Sequence, residues 1–164
     1  MTKYFTILDV KDKHPQIEGV EVDVVGLRER ITSTKDFKVR AISTSINMFF
    51  DKGFKEVIYL APNTKFTKDP KSLYDVSDAD ATVFRMEKIM EKNPTVVRAV
   101  WDIGPPSYLY SNCIMVKSPK FAKEWLAMTG KVNFENYKGW EMDVLNMLVY
   151  YGDFKVRIRD VEEL

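Results

Sequence analysis

The sequence has little of what most catalytic and metal sites are built from. It holds one histidine, His14, and one cysteine, Cys113. Together they cannot supply the three or four nitrogen and sulfur ligands of a zinc site, and there is no pattern for a Ser-His-Asp system. His14 lies in the polar run KDKHPQ and reads as a surface residue. A lone cysteine excludes an intramolecular disulfide framework and favours a reducing compartment, so a cytoplasmic protein is expected. Glycine is also scarce, at 7 residues, and none are arranged as GxGxxG or GxxxxGKS/T. That removes the phosphate cradles of Rossmann dehydrogenases and P-loop enzymes.

Neither sign of charge is in excess. Lys and Arg number 25 against 24 Asp and Glu, a formal net charge of +1. A dedicated nucleic-acid binder carries a strongly basic face, so no nucleic-acid partner is expected. No apolar run approaches the roughly 18 residues of a membrane span, and the opening MTKYFTILDVKDKHPQ is too short in apolar residues for a signal peptide.

What is present is an ordinary globular composition. Over 164 residues, 45% are hydrophobic and 13% aromatic, enough for one domain with a substantial core. Residues 4–10 (YFTILDV) and 20–27 (VEVDVVGL) read as strands, the second alternating as a half-buried strand does. From Ser33 to Lys52, Phe37, Ala41, Ile42, Ile46, Met48, Phe49 and Phe50 recur at helical spacing, with Ser33 or Thr34 as cap and Gly53 as the C′ residue. The apolar run VIYL, 57–60, then predicts a buried strand.

Downstream, KSLYDV reads as a weak helical turn, ATVFRM (81–86), VVRAVWDI (96–103) and CIMVK (113–117) as strands, and Gly104-Pro105-Pro106 as a turn; residues 88–93 stay ambiguous. Ser118 caps a helix beginning at Pro119 and ending at Gly130, and WEMDVLNMLVYYG (140–152) forms a last amphipathic helix before an edge or closing strand, FKVRIRDV. Met86, Met90, Met115, Met128, Met142 and Met147 read as core fillers, and Trp140 as core or as a shield over a pocket. The expected fold is a single-domain α/β mixed sheet flanked by helices.

In open α/β sheets ligands sit beyond the carboxyl ends of the strands. The loop Ala61-Pro62-Asn63-Thr64 leaves the end of the most apolar strand, yet carries no charge. Taken in order, KVRAISTSINMFFDKGF, EVIYL and its loop, TKFTKDPKSLY, YSNCIMVKSPKFAKEWL and WEMDVLN resemble the retaining GT-A glycosyltransferases similar to glycogenin and the bacterial galactosyltransferases. Members carry a strand running into Asp-x-Asp, an Asn-Ser/Ala-Gly strand, and an Asp-Gln-Asp-x-Leu-Asn helix. EMDVLN, 141–146, matches in Asp143, Leu145 and Asn146, with Glu141 for the first Asp. The likeness spans roughly residues 35–160.

The resemblance implies a reduced GT-A fold, a nucleotide-diphosphate sugar as donor and an unknown acceptor. It also implies a Mn²⁺ or Mg²⁺ held by Asp-x-Asp against the leaving diphosphate. Here Ala61 and Asn63 stand at those positions and the family's late metal-binding histidine has no counterpart, so no metal is expected. By resemblance Asp143 orients the sugar as the catalytic acid, although Glu141 and Asp143, two apart on a helix, do not share a face and only one is expected to point into the crevice. The donor contacts are Asp9 (a base or ribose contact), Lys38 and Arg40 (positive charge for the diphosphate), Asn63, Ser111 and Asn112, with Cys113 near the family's glycine. The segment before VIYL is short for the family's nucleotide-binding half, so the first two strands would supply a reduced version. The literal Asp78-Ala79-Asp80 precedes its strand and reads as a solvated turn; with Asp75 it also balances the lysines at 65, 68 and 71. Two alternatives stay open: a GT-A-fold binding protein that has lost its metal site, and an unrelated α/β protein.

Overall fold

The computed structural model describes residues 1–9, 11–26, 40–73, 79–85, 111–131 and 140–160. Among them, six strands form one mixed sheet: β1 (Thr2–Leu8), β2 (Val22–Gly26), β3 (Glu56–Leu60), β4 (Ala81–Arg85), β5 (Cys113–Val116) and β6 (Val156–Asp160). Their order is β2-β1-β3-β5-β4-β6. β1 pairs parallel with β2 and β3, and β4 pairs parallel with β6. β5 runs antiparallel to both its neighbours, β3 and β4. Five carboxyl ends therefore share one edge of the sheet with the amino end of β5.

Side chains alternate across the sheet, and the centre is buried on both faces, which is why β3 reads as an uninterrupted apolar run. On one face Phe5, Val57, Tyr59, Ala81, Val83, Ile114 and Val116 form a core with three helices. These are α1 (Ala41–Asp51), α2 (Pro119–Lys131) and α3 (Trp140–Tyr151). Trp125 and Phe121 of α2 are fully buried there, and burying a large apolar side chain stabilises by about 1.5–3 kcal/mol. On the other face Ile58, Leu60, Phe84, Cys113 and Met115 are closed by Phe66, with Tyr4, Ile17 and Val22 alongside. The Tyr4 hydroxyl donates to Asp69 at 2.7 Å and ties the segment after β3 across β1.

The expected single mixed α/β sheet is what the structure shows, and several local expectations hold. Gly53 follows the C-cap of α1 with φ +97°, a conformation glycine adopts without penalty. Ser118 Oγ accepts from Phe121 N at the start of α2, His14 is exposed, and among the described residues β6 is an edge strand. Asp80 fixes the start of β4, its backbone and carboxylate bonding residues 117, 118 and 155.

Two expectations need correction. α1 begins at Ala41 with Arg40 at the N-cap, not at Ser33 or Thr34. Gly130 does not end its helix, which continues to Lys131; a Cβ there would sit 3.3 Å from Arg40 Nη1, so the glycine makes room for a neighbouring side chain. Glu141 and Asp143 are both buried. The predicted strand 96–103, the turn 104–106, residues 86–93 and Asp75 and Asp78 lie outside the described residues.

Candidate functional site

The sequence-predicted residues that the structure describes fall at one edge. Asp9 follows β1, the loop 61–64 follows β3, and Ser111 and Asn112 precede the reversed β5. α1 runs back into β3, and α3 into the parallel β6, through short connections. The amino ends of both helices, with Arg40 and Asp143, therefore stand at that same carboxyl edge. A hydrogen bond from Ala61 N to Asn112 O, 2.8 Å, stitches the β3 loop to the entrance of β5. Lys38 lies outside the described residues.

Asn63 has φ +61°, in the left-handed region where asparagine is among the few tolerated side chains. Both ends of its amide are engaged: Oδ1 accepts from Lys13 N at 2.7 Å and Nδ2 donates to Asp12 Oδ1 at 3.0 Å. The other Asp12 oxygen accepts from Asp9 N at 2.8 Å. Asn63 is thus a clamp joining the β3 loop to the loop after β1. With Ala61 offering no donor atom, this junction does not fit a divalent cation, which needs several oxygen ligands. Among the described residues no three His, Cys, Asp or Glu side chains gather as a metal site.

Ser111 is buried and its hydroxyl bonds the backbone of Cys113 in both directions, shaping the turn into β5. Cys113 is fully buried, and burial pushes its thiol well above the usual range, which makes it inert. Asn112 is different. Its Oδ1 is buried without a hydrogen-bond partner, an uncommon state for a polar atom and one that a ligand hydroxyl would relieve.

At the helix ends the side chain that acts is Glu141. α1 has no side-chain cap of its own and no acidic residue in its first turn, leaving its first N–H groups without local partners. Glu141 supplies them from across the fold, Oε1 accepting from Ile42 N and Oε2 from Ser43 N, both at 3.0 Å. Ser43 Oγ adds a third contact at 2.9 Å, and Trp125 Nε1 donates to the Glu141 backbone carbonyl at 2.8 Å. Burial pushes the Glu141 carboxyl up to about 7, opposed by those bonds from Ser43 and Ile42. Sequence reasoning passed over this role, although a signal existed. Glu141, Val144, Leu145 and Leu148 are spaced i, i+3, i+4, i+7, so the acid sits on the core-facing stripe and needs buried partners. Asp143 is 1% exposed.

A cavity of about 480 Å³ lies at the opposite edge, near the carboxyl end of α1, lined by residues including Asn47, Phe50, Phe54, Lys55, Lys117 and Lys123. None of the sequence-predicted site residues line it.

No protein-family model matches the chain, and no curated protein does. Solved structures do. The apo bifunctional glycosyltransferase WbbM aligns with TM-score 0.55 at 10% identity, over 96% of this chain and 38% of that one. The glycosyltransferase GlyE of Streptococcus pneumoniae TIGR4 aligns with TM-score 0.50 at 11% identity, over 99% and 46%. The galactosyltransferase LgtC, solved with donor and acceptor sugar analogs, gives 0.48 at 14% identity, over 87% and 55%. This chain spans 38–55% of those three proteins. The sheet order, the helix-covered face and the likeness to WbbM and GlyE together identify a GT-A-like glycosyltransferase fold.

Proposed function

We propose that this chain is a glycosyltransferase-like protein that binds a nucleotide-diphosphate sugar at the carboxyl edge of its sheet and transfers the sugar without the usual metal-binding acid pair. The observation that carries the reading is the gathering of Asp9, Arg40, Ser111, Asn112 and Asp143 at that edge of a glycosyltransferase fold. In the transfer, the bond from the anomeric carbon to the diphosphate oxygen breaks, a bond to an acceptor oxygen forms, and the acceptor hydroxyl's proton passes to the leaving diphosphate. The leaving diphosphate gathers negative charge. Arg40, with Lys38 close by in sequence, supplies the compensating positive charge, and a guanidinium suits paired phosphate oxygens. Asn112 Oδ1 accepts from a ribose or sugar hydroxyl, Asp9 contacts the nucleoside, and Asp143 orients the sugar. Asn63 holds the loop in place.

The test is a thermal-shift series with UDP- and GDP-sugars, with and without Mn²⁺, followed by assay of nucleotide release. Stabilisation by at least one donor, and release insensitive to chelator, are expected. The absence of any shift at millimolar donor overturns the reading.

A second reading, a donor-binding protein without transferase activity, is favoured by the engagement of both Asn63 amide atoms. Ala61→Asp combined with Asn63→Asp separates the two. Metal-dependent donor hydrolysis that appears only in the double variant identifies the natural chain as a binding scaffold.

A further inference from the structure

The contact between Glu141 and Ser43 joins two helices through residues 98 apart in sequence. Ser43 Oγ lies 2.9 Å from Glu141 Oε2 and 3.2 Å from the carbonyl oxygen of Arg40. A hydroxyl has one hydrogen and can donate to only one of them at a time. We propose that Glu141 is the positioning residue of the carboxyl edge: when its carboxylate takes a proton from solvent the Ser43 hydroxyl hydrogen turns to the Arg40 carbonyl, when it returns that proton the hydrogen turns back, and its ionisation sets the charge at the amino end of α1. Its consequence for donor binding rests on the function proposed above, while the relay rests on the geometry alone.

Both states of the relay satisfy their polar atoms. With Glu141 ionised, its carboxylate accepts from Ile42 N, Ser43 N and Ser43 Oγ. With Glu141 neutral, its own O–H donates to Ser43 Oγ, and the serine hydrogen turns to the Arg40 carbonyl. The two backbone N–H groups keep their acceptors throughout. Arg40 is on α1, its guanidinium turned toward Gly130 of α2, and Asp143 is two residues along α3. From α2 the neutral Trp125 donates to the Glu141 carbonyl, and Lys131 is the basic residue of its last turn. Burial lifts the carboxyl to about 7, so both states are populated near neutral pH.

An ionised Glu141 places negative charge where the α1 dipole is positive and where Arg40 stands ready for a diphosphate. A neutral Glu141 leaves both for the anion. Donor affinity therefore falls as pH rises through about 7. By the linkage sign, the folded carboxyl keeps a proton that the unfolded one has released. The stability it contributes is full below the ordinary value of 4.5, is lost as pH rises through about 7, and is level beyond.

UDP-glucose and GDP-mannose are suitable probes because their diphosphates hold constant charge over this range. Wild-type affinity for the donor that binds is expected to fall about fivefold to tenfold between about pH 6 and pH 8.5. In Glu141→Gln it stays flat at the low-pH wild-type value. Ser43→Ala removes a donor that favours the ionised form, so the midpoint moves to higher pH. Without ligand, the wild-type melting temperature declines from about pH 5 to pH 7.5 and that of Glu141→Gln does not. An unchanged pH slope in Glu141→Gln, or an unmoved midpoint in Ser43→Ala, overturns the relay. A relay intact in the ligand-free protein, with neither donor bound at any pH, overturns the proposed site and not the relay. Binding that is flat with pH in the wild type overturns the coupling. Should Glu141→Gln not fold, carboxyl ¹³C NMR of the wild type decides: a buried glutamate titrating near 7 supports the relay, and none above the ordinary range overturns it.

Discussion

Two junctions fix the carboxyl edge, and they are built in opposite ways. At the end of β3, Asn63 is exposed and left-handed, and it reaches the loop after β1 through the Lys13 backbone N–H and the Asp12 carboxylate. At the start of α3, Glu141 is buried and bonds a helix 98 residues away in sequence. The first sits in water, where each bond contributes modestly; the second sits in the core, where an unpaired donor costs much more. The exposed junction should therefore tolerate change, while the buried one should decide whether the helices keep their arrangement.

Glu141→Ala is the strongest way to break that contrast. It strips the acceptor from two buried N–H groups and should lower the unfolding free energy in urea by about 3 kcal/mol. Trp125→Phe keeps an aromatic ring but removes the bond to the Glu141 carbonyl, with an expected loss of about 1–2 kcal/mol in the same measurement. At the exposed junction, Asn63→Gly keeps the backbone conformation and loses only the side-chain bonds, costing about 1 kcal/mol. Asn63→Ala adds left-handed strain and costs about 1 kcal/mol more. Equal effects of the two would mean that the backbone there relaxes freely. The smallest expected change is in Gly130→Ala. The nearest atom to the new Cβ is the movable end of Arg40, so helix propensity prevails and stability rises by about 0.5–1 kcal/mol. The displaced guanidinium should weaken UDP-glucose binding about threefold in calorimetry, a loss of about 0.7 kcal/mol.

The parts of this architecture that were legible in the sequence are those set by local chemistry. The apolar run Val57–Leu60 marked a strand buried on both faces, and Ser118-Pro119 and Gly53 marked helix ends through their own backbone preferences. Gly130 misled because a glycine that ends a helix and one that clears space for a neighbour look alike without the neighbour. The start of α1 misled because its cap is not next to it in the chain. Periodicity could place Glu141 on the inner stripe of α3 but could not name Ser43 as its partner. The resemblance sets Asn63 at one position of the family's acidic pair. That it is asparagine because the backbone is left-handed, and because two loops need both a donor and an acceptor, appears only once β1 and β3 lie side by side.

β5 is the only reversed strand among the described six, and it separates β2-β1-β3 from β4-β6. Each of those groups is a parallel array that can zip internally, but neither touches the other through the backbone ladder. Residues 113–116 are thus the seam of the molecule. Their amides should be among the slowest to exchange with deuterium, released only when the whole sheet opens. A proline at Ile114 would separate the protein into two half-sheets rather than fray one margin.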